Sequence, residues 1–258
     1  MKILILGEII GRPGREKVKE FLPDLLKKLK PDFVIANGEH LAGGKGLTEE
    51  KVMEMNKAGI DFFTTGNHVF SKPGVDKILE DSKEPIVRPA NYPEGTAGKE
   101  YKTIKIKGKK IIVINLLGKA FINKEVDDPF IKADQILEKE KADIVIVDMH
   151  AEATSEKVLM ADYLDGRASI VFGTHTHVPT SDSQIRPGGT FYVTDIGMIG
   201  PVDSVIGMKK DVSRERVLKQ IPARYEVAPH GPTYFNAVFV KLNKEGRAEK
   251  FDKIESII

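Results

Sequence analysis

Short apolar runs alternate with longer amphipathic stretches through the first half of the chain. Residues 3–6 and 33–36 are apolar runs of strand length. Between them, in residues 15–30, apolar side chains recur every three or four positions, which predicts a helix that Pro31 ends. Residues 11–14 are predicted to form the turn before that helix. The order strand, helix, strand is typical of a parallel sheet covered by helices.

The same pattern predicts further elements along the chain. Helices are predicted at 48–59, 129–141, 154–164 and 212–220, and strands at 61–65, 144–147 and 170–172. Three pairs of runs predict antiparallel hairpins, namely 101–106 with 110–116, 183–186 with 190–194, and 236–242 with 248–254. Parallel strands early and hairpins late predict two packed mixed sheets between layers of helices, in one domain over residues 1–258.

Composition limits the classes of function that this chain can have. Apolar residues make up 41% and charged residues 30% of 258, a globular balance, and the formal net charge is only +2. There is no stripe of Arg and Lys interleaved with aromatic residues, so an obligate nucleic-acid polymer is not expected as a partner. The chain has no cysteine, so any metal must take nitrogen and oxygen ligands. No apolar run approaches the length of a membrane span, and we expect a cytoplasmic protein.

Polar residues that follow the predicted strands carry the chemical signal. Five of the six histidines stand just past an apolar run. The whole set is Glu8, Asn37, Glu39, His40, Asn67, His68, Asp148, His150, His175 and His177. Because the carboxyl ends of parallel strands converge on one crevice, these side chains can meet there. Imidazoles among carboxylates and amides suit a pair of divalent ions, which a carboxylate such as Glu39 can bridge and which can act on a phosphoryl group.

Each member of this set also has a plainer interpretation. Taken alone, Glu8 is typical of a solvated or capping acid, and Asn67 with His68 of a polar strand end that satisfies loop backbone groups. His150 alone is typical of a histidine that is hydrogen-bonded within the protein. The pair formed by His175 and His177 favours metal binding, because an i, i+2 spacing in extended chain points both imidazoles to one side. The shared position of the set indicates a site more strongly than any single member.

The order of the motifs resembles that of the calcineurin-type metallophosphoesterases. The motifs are Gly7-Glu8, Asn37-Gly38-Glu39-His40, Gly66-Asn67-His68, Asp148-Met149-His150 and Gly173-Thr174-His175-Thr176-His177. More narrowly, the chain resembles the bacterial YmdB-like cyclic-nucleotide phosphodiesterases over essentially its whole length. This resemblance implies an α/β fold, a four-layer α/β/β/α sandwich of the calcineurin-like metallo-dependent phosphatase type. It also implies hydrolysis of 2′,3′-cyclic nucleotides with opening of the 2′ bond, which leaves a 3′-nucleotide.

The resemblance further implies a role for each site residue. Two ions per chain, iron or manganese with zinc as a further option, would be bridged by Glu39. Glu8, His40 and His177 would hold one ion, Asn67, His150 and His175 would hold the other, and His68 would protonate the leaving oxygen after attack by a metal-bridging hydroxide. The family has Asp where this chain has Glu8 and Asn where it has His40. Both departures fall on the same ion.

Two classes of function follow from these observations. The first is a dinuclear metal-dependent phosphodiesterase that acts on a small phosphodiester such as a cyclic nucleotide, or on a different phosphate ester. The alternative is a weakly active or non-enzymatic metal-dependent regulatory or binding protein, in which Glu8 and His40 alter the first metal site. Neither function calls for a membrane partner, and the sequence leaves homo-oligomer formation open.

Overall fold

Two β-sheets form the centre of the protein in a computed structural model that describes all 258 residues. The strands are β1 (Lys2–Leu6), β2 (Glu8–Ile9), β3 (Phe33–Asn37), β4 (Phe62–Thr64), β5 (Tyr101–Ile106), β6 (Lys109–Leu117), β7 (Ile144–His150), β8 (Ile170–Thr174), β9 (Gln184–Ile185), β10 (Phe191–Val193), β11 (Met198–Pro201), β12 (Thr233–Leu242) and β13 (Ala248–Ile257). The helices are α1 (Gly11–Leu29), α2 (Glu49–Lys57), α3 (Val75–Glu80), α4 (Pro129–Lys139), α5 (Thr154–Tyr163) and α6 (Lys210–Leu218), with a 3-10 turn at Val69–Ser71. None of these helices has both the length and the apolar character needed to cross a lipid bilayer.

Both sheets are mixed, as the sequence predicts. The first has seven strands in the order β2-β11-β12-β1-β3-β4, with β13 paired to β12, and its β1, β3 and β4 are parallel. The second has six strands in the order β5-β6-β7-β8-β10-β9, with parallel pairing from β6 through β8 to β10. The three predicted hairpins, β5 with β6, β9 with β10 and β12 with β13, are all present and antiparallel.

Alternating side chains place the hydrophobic core in three layers. In β1, Ile3 and Ile5 face the second sheet, whereas Leu4 and Leu6 face the opposite way, toward α1 and α2. The middle layer packs the two sheets on each other, and a third cluster packs α4 and α5 against the outer face of the second sheet. The four-layer α/β/β/α order expected from the sequence is therefore confirmed.

The start of α1 differs from the prediction. Residues 11–14 do not form a separate turn but are the first turn of the helix itself. Pro13 is tolerated there because the first amides of a helix have no intrahelical partner. Gly14 lies against the backbone carbonyl of Ile199, where any Cβ would overlap that oxygen. The prediction is wrong here because Gly and Pro together are typical of a turn, whereas at this position both serve the helix start.

Four short elements were not predicted at all. They are β2, α3, β11 and the 3-10 turn at Val69–Ser71, each between two and six residues long. Segments of this length are too short to show a hydrophobic period. Two of them matter for the site, since β2 begins with Glu8 and pairs in parallel with β11, Met198 opposite Glu8.

Candidate metal centre

The candidate residues lie at one edge of the paired sheets, at or just beyond the ends of the central strands. Glu8 begins β2 directly after β1, Glu39 and His40 follow β3, Asn67 and His68 follow β4, His150 ends β7, and His175 and His177 follow β8. Parallel register holds these strand ends level, with Asn37 opposite Thr64 and His150 opposite Thr174. The structure therefore brings together residues that are up to 169 positions apart in the chain, from Glu8 to His177.

Three of these residues form a first cluster, namely Glu8, His40 and His177. Glu8 Oε2 lies 3.1 Å from His40 Nε2 and 3.0 Å from His177 Nε2, and the two nitrogens are 3.2 Å apart. The donor atoms all lie within 4.8 Å of one another, and all three side chains are buried. Glu8, His40 and His177 thus present their donors to one point.

Four further residues form a second cluster around His150, namely Glu39, Asn67, His150 and His175. His150 Nε2 lies 2.7 Å from Glu39 Oε2, 3.1 Å from Asn67 Oδ1 and 3.1 Å from His175 Nδ1. The other nitrogen of His175 lies 3.0 Å from Glu152 Oε2. The two histidines that are closest in sequence, His175 and His177, thus belong to different clusters.

Hydrogen bonds on the far side of the rings fix the orientation of the first cluster. His40 Nδ1 lies 2.7 Å from the carbonyl oxygen of Gly44, and His177 Nδ1 lies 2.9 Å from that of Ile206. A carbonyl only accepts, so Nδ1 carries the hydrogen in both rings. Nε2 of a neutral ring is then left with its lone pair facing Glu8, which is the tautomer that a metal ligand needs.

A buried polar network orients His150 in the same way. His150 Nδ1 lies 2.8 Å from Thr174 Oγ1, which in turn donates to Asp148 Oδ1 at 2.7 Å. The other oxygen of Asp148 accepts hydrogen bonds from Thr64 at 2.5 Å and from Asn37 at 3.0 Å. Asn37 and Asp148, which belong to the predicted strand-end set, therefore lie beneath the second cluster and support His150. Thr174 was not predicted as a supporting residue, although its place at the end of the apolar strand β8, directly before His175, is a usable signal.

The surroundings of two carboxylate oxygens, one from Glu8 and one from Glu39, fit metal ions. Glu8 Oε2 and Glu39 Oε2 are buried and have no hydrogen-bond donor apart from the imidazole nitrogens that lie 2.7 to 3.1 Å away. Buried acceptors without a donor are costly and rare in folded proteins. An imidazole nitrogen and a carboxylate oxygen at this distance must share either a proton or a metal ion. A set of imidazole, carboxylate and amide donors suits manganese, iron or zinc.

In both clusters, the facing charges shift each pKa in the direction opposite to the shift that burial would cause. Burial is the largest single effect on Glu39 and would raise its pKa, but the charges and hydrogen bond of the facing imidazoles, His150 first, together lower the pKa to about 2. Burial would likewise raise the pKa of Glu8, but the charges and hydrogen bonds of several imidazoles, His177 first, together hold it well below the usual value. In the partner rings burial would lower the pKa, but the facing carboxylates raise it to about 8 for His150 and to about 9 for His177. In the metal-free protein, protons therefore occupy the places that a cation would take.

His68 lies beside both clusters without joining either. Its backbone N–H donates a hydrogen bond to Glu39 Oε1, and its ring meets the ring of His40 edge to face with the centroids 5.8 Å apart. The ring is half-buried, and burial lowers the pKa of His68 to about 4. A neutral imidazole thus stands next to the centre at neutral pH.

The extended conformation predicted at His175 and His177 is not present. β8 ends at Thr174, and both histidines adopt left-handed backbone conformations, with φ of +95° and +65°. Such angles are uncommon for side chains other than glycine. The turn points the two imidazoles in different directions, and this is why each reaches its own cluster.

Comparison with known proteins places the chain in a family. The family model described as YmdB-like protein matches residues 4–254. A Bacillus subtilis protein named 2′,3′-cyclic-nucleotide 2′-phosphodiesterase is 44% identical over 260 residues, covering 100% of this chain and 97% of its own.

Solved structures show the same fold. A hypothetical protein from Thermus thermophilus is 41% identical, with a TM-score of 0.94, and the match covers 100% of this chain and 99% of that one. A structure described as a novel phosphatase from Mycoplasma pneumoniae is 32% identical, with a TM-score of 0.93 and coverage of 100% and 93%.

Proposed function

The chain belongs to the YmdB-like family, and on that premise we propose that it is a two-metal phosphodiesterase that hydrolyses 2′,3′-cyclic nucleotides at the 2′ bond. The observation that carries this proposal is the convergence of two donor clusters, each with a buried carboxylate oxygen that contacts only imidazole nitrogens. The name of the Bacillus subtilis relative supports the choice of substrate. The product would be a 3′-nucleotide.

Each cluster would hold one ion. Glu8, His40 and His177 would hold the first ion. Asn67, His150 and His175 would hold the second. We assign Glu39 as the bridge, since it contacts His150 of the second cluster directly and the charge of His40, in the first cluster, acts on it. Two ions bound there would supply Lewis acidity and neutralise charge on the phosphoryl oxygens. Iron, manganese and zinc all suit these donors.

His68 would move the proton that the leaving group needs. When the bond between phosphorus and the ribose 2′ oxygen breaks, that oxygen must gain a proton. The ring of His68 is neutral at pH 7 in the free protein, but an anionic phosphoryl group beside it would raise its pKa. The ring would then carry the proton into the complex and release it to the 2′ oxygen.

The alternative is a regulatory or binding protein in which Glu8 and His40 weaken the first metal site. Glu8 Oε2 instead lies within 3.1 Å of both imidazoles of its cluster. No observation in the clusters favours the alternative over the enzyme.

Metal analysis of the purified protein, measured alongside hydrolysis, tests the proposal. We expect two ions per chain and turnover of 2′,3′-cyclic AMP. Glu39→Ala should lose metal together with activity. His68→Ala should keep both ions but lose roughly 100-fold or more in kcat on the cyclic nucleotide, with a smaller loss on an aryl phosphodiester whose leaving group needs no proton.

The sixth histidine provides a matched control. His230 is exposed, pairs with Glu16 and lies outside both clusters, so His230→Ala should leave metal content and kcat unchanged. One ion per chain without turnover would support the regulatory alternative. Full kcat of His68→Ala on the cyclic nucleotide would refute its assignment as the proton donor.

A further inference from the structure

A buried ion pair lies behind the metal centre and belongs to neither cluster. Lys157 of α5 is 0% exposed and Asp195 is 1% exposed, with Lys157 Nζ 3.0 Å from Asp195 Oδ2. Removing two charges from water is costly, and such pairs are commonly no more stabilising than apolar residues of the same size. Stability alone is therefore a weak explanation for placing this pair in the core.

One oxygen of Asp195 holds the turn that presents both metal-facing histidines. Asp195 Oδ2 accepts hydrogen bonds from Thr176 N at 3.1 Å and from Thr176 Oγ1 at 2.7 Å, and Lys157 Nζ lies 3.4 Å from the same hydroxyl. Thr176 stands between His175 and His177, the two residues with left-handed backbone angles. Strained angles persist only where the surroundings enforce them. Thr176 is the point at which this turn is fixed.

The other oxygen of Asp195 reaches the strand that carries Glu8. Asp195 Oδ1 accepts a hydrogen bond from Gly197 N at 2.7 Å, and the carbonyl oxygen of Gly197 accepts one from Glu8 N at 3.0 Å. Close packing limits movement here, because a Cβ on Gly7 would overlap the carbonyl oxygen of Gly197. Glu8 belongs to the seven-stranded sheet, whereas the histidine turn follows a strand of the six-stranded sheet. A single carboxylate therefore ties ligand segments from both sheets.

We propose that Asp195, with its charge balanced by Lys157, is a positioning residue that sets the spacing of Glu8, His175 and His177. It touches no ligand atom itself and acts through Thr176 and Gly197. Because His175 and His177 serve different clusters, one carboxylate controls the geometry of both. The direct consequence of this positioning is the metal affinity of the two clusters. Only its effect on catalysis rests on the proposed function.

The test measures Mn²⁺ binding by calorimetry together with thermal unfolding. The variant is the double substitution Asp195→Asn with Lys157→Met, which removes both charges at once and leaves neither uncompensated. We expect it to unfold near the wild-type temperature but to bind Mn²⁺ roughly ten-fold or more weakly at both clusters. A merely structural pair would instead lower the unfolding temperature and leave the Mn²⁺ affinity of the folded protein unchanged, and that result would overturn the inference.

Asp165 supplies a matched control. It also accepts hydrogen bonds from two backbone amides, those of Gly188 at 2.7 Å and Thr190 at 3.4 Å, but its turn touches no cluster residue. Asp165→Asn should leave Mn²⁺ affinity unchanged, and an equal loss there would count against a specific effect of Asp195.

If the double variant does not fold, Thr176→Val tests the positioning function of Asp195 instead. That substitution keeps the ion pair and removes only the hydroxyl contacts, so weaker Mn²⁺ binding supports the inference and wild-type binding overturns it.

The proposed function and the positioning of ligands by Asp195 fail in different ways. Wild-type protein that binds two Mn²⁺ ions but hydrolyses no phosphodiester would refute the proposed function and leave the inference intact. A double variant with wild-type affinity would refute the inference and leave the function intact. Wild-type protein that binds no metal would overturn both.

Discussion

Metal binding at neutral pH is expected to expel about two protons per chain. Burial would lower the pKa of both rings, but Glu39 raises that of His150 to about 8 and Glu8 raises that of His177 to about 9. At pH 7 both rings are therefore protonated in the metal-free protein. A metal ligand must be neutral, so each ion has to displace one of these protons.

The free-energy cost follows from the pKa values. One pKa unit corresponds to about 1.4 kcal/mol, so deprotonation at pH 7 costs on the order of 1 kcal/mol at His150 and of 3 kcal/mol at His177. Because protons and metal ions compete for the same imidazole nitrogens, the apparent affinity for metal rises with pH. Each cluster should gain roughly ten-fold in affinity between pH 6 and pH 7 and stop gaining above its own pKa.

Calorimetric titration with Mn²⁺ measures the released protons directly. The titration is repeated at pH 7 in buffers with different ionisation enthalpies, and the slope of the observed heat against buffer enthalpy gives the number of protons. We expect a slope of about two for the wild type and about one for His177→Asn, which removes the first cluster's proton. A slope near zero would show that the rings are neutral before metal binds, and the electrostatic account of the clusters would be wrong.

Two further substitutions test the geometry of the second cluster. Gly66→Ala should prevent metal binding there, because a Cβ at that position would overlap both the Glu39 carboxylate and the His150 ring, and two ions per chain in this variant would contradict the structure. Thr174→Val removes the partner of His150 Nδ1 and one donor to the buried Asp148, so we expect Mn²⁺ affinity to fall roughly 10- to 100-fold and stability by about 1–3 kcal/mol. Calorimetry and thermal unfolding measure both effects, and unchanged affinity would refute a supporting function for Thr174.

The position of the site could be predicted from the sequence because it depends on the strands alone. Apolar runs identify the parallel strands, and any polar residue directly after such a run must lie at the same edge of the sheet. Glu39, His68 and His150 can be placed in this way, because each follows a run of strand length. The layers can be predicted as well, since Ile3, Leu4, Ile5 and Leu6 make both faces of β1 apolar, and both faces must then be covered.

The division of the site into two clusters could not be predicted from the residues alone. It depends on the turn at His175 and His177, where backbone angles contradict the extended chain that their spacing indicates. Those angles are held through Thr176 by Asp195, which is distant in sequence, and by packing at Gly197. Contacts of this kind leave no period in the sequence.

The identity of the nucleotide product tests the central claim most directly. Metal-loaded protein is incubated with 2′,3′-cyclic AMP, and the products are separated by chromatography against authentic 2′-AMP and 3′-AMP. The proposed two-metal phosphodiesterase predicts 3′-AMP alone, with its formation abolished in Glu39→Ala. Accumulation of 2′-AMP, or no product from protein that carries two ions, would contradict it.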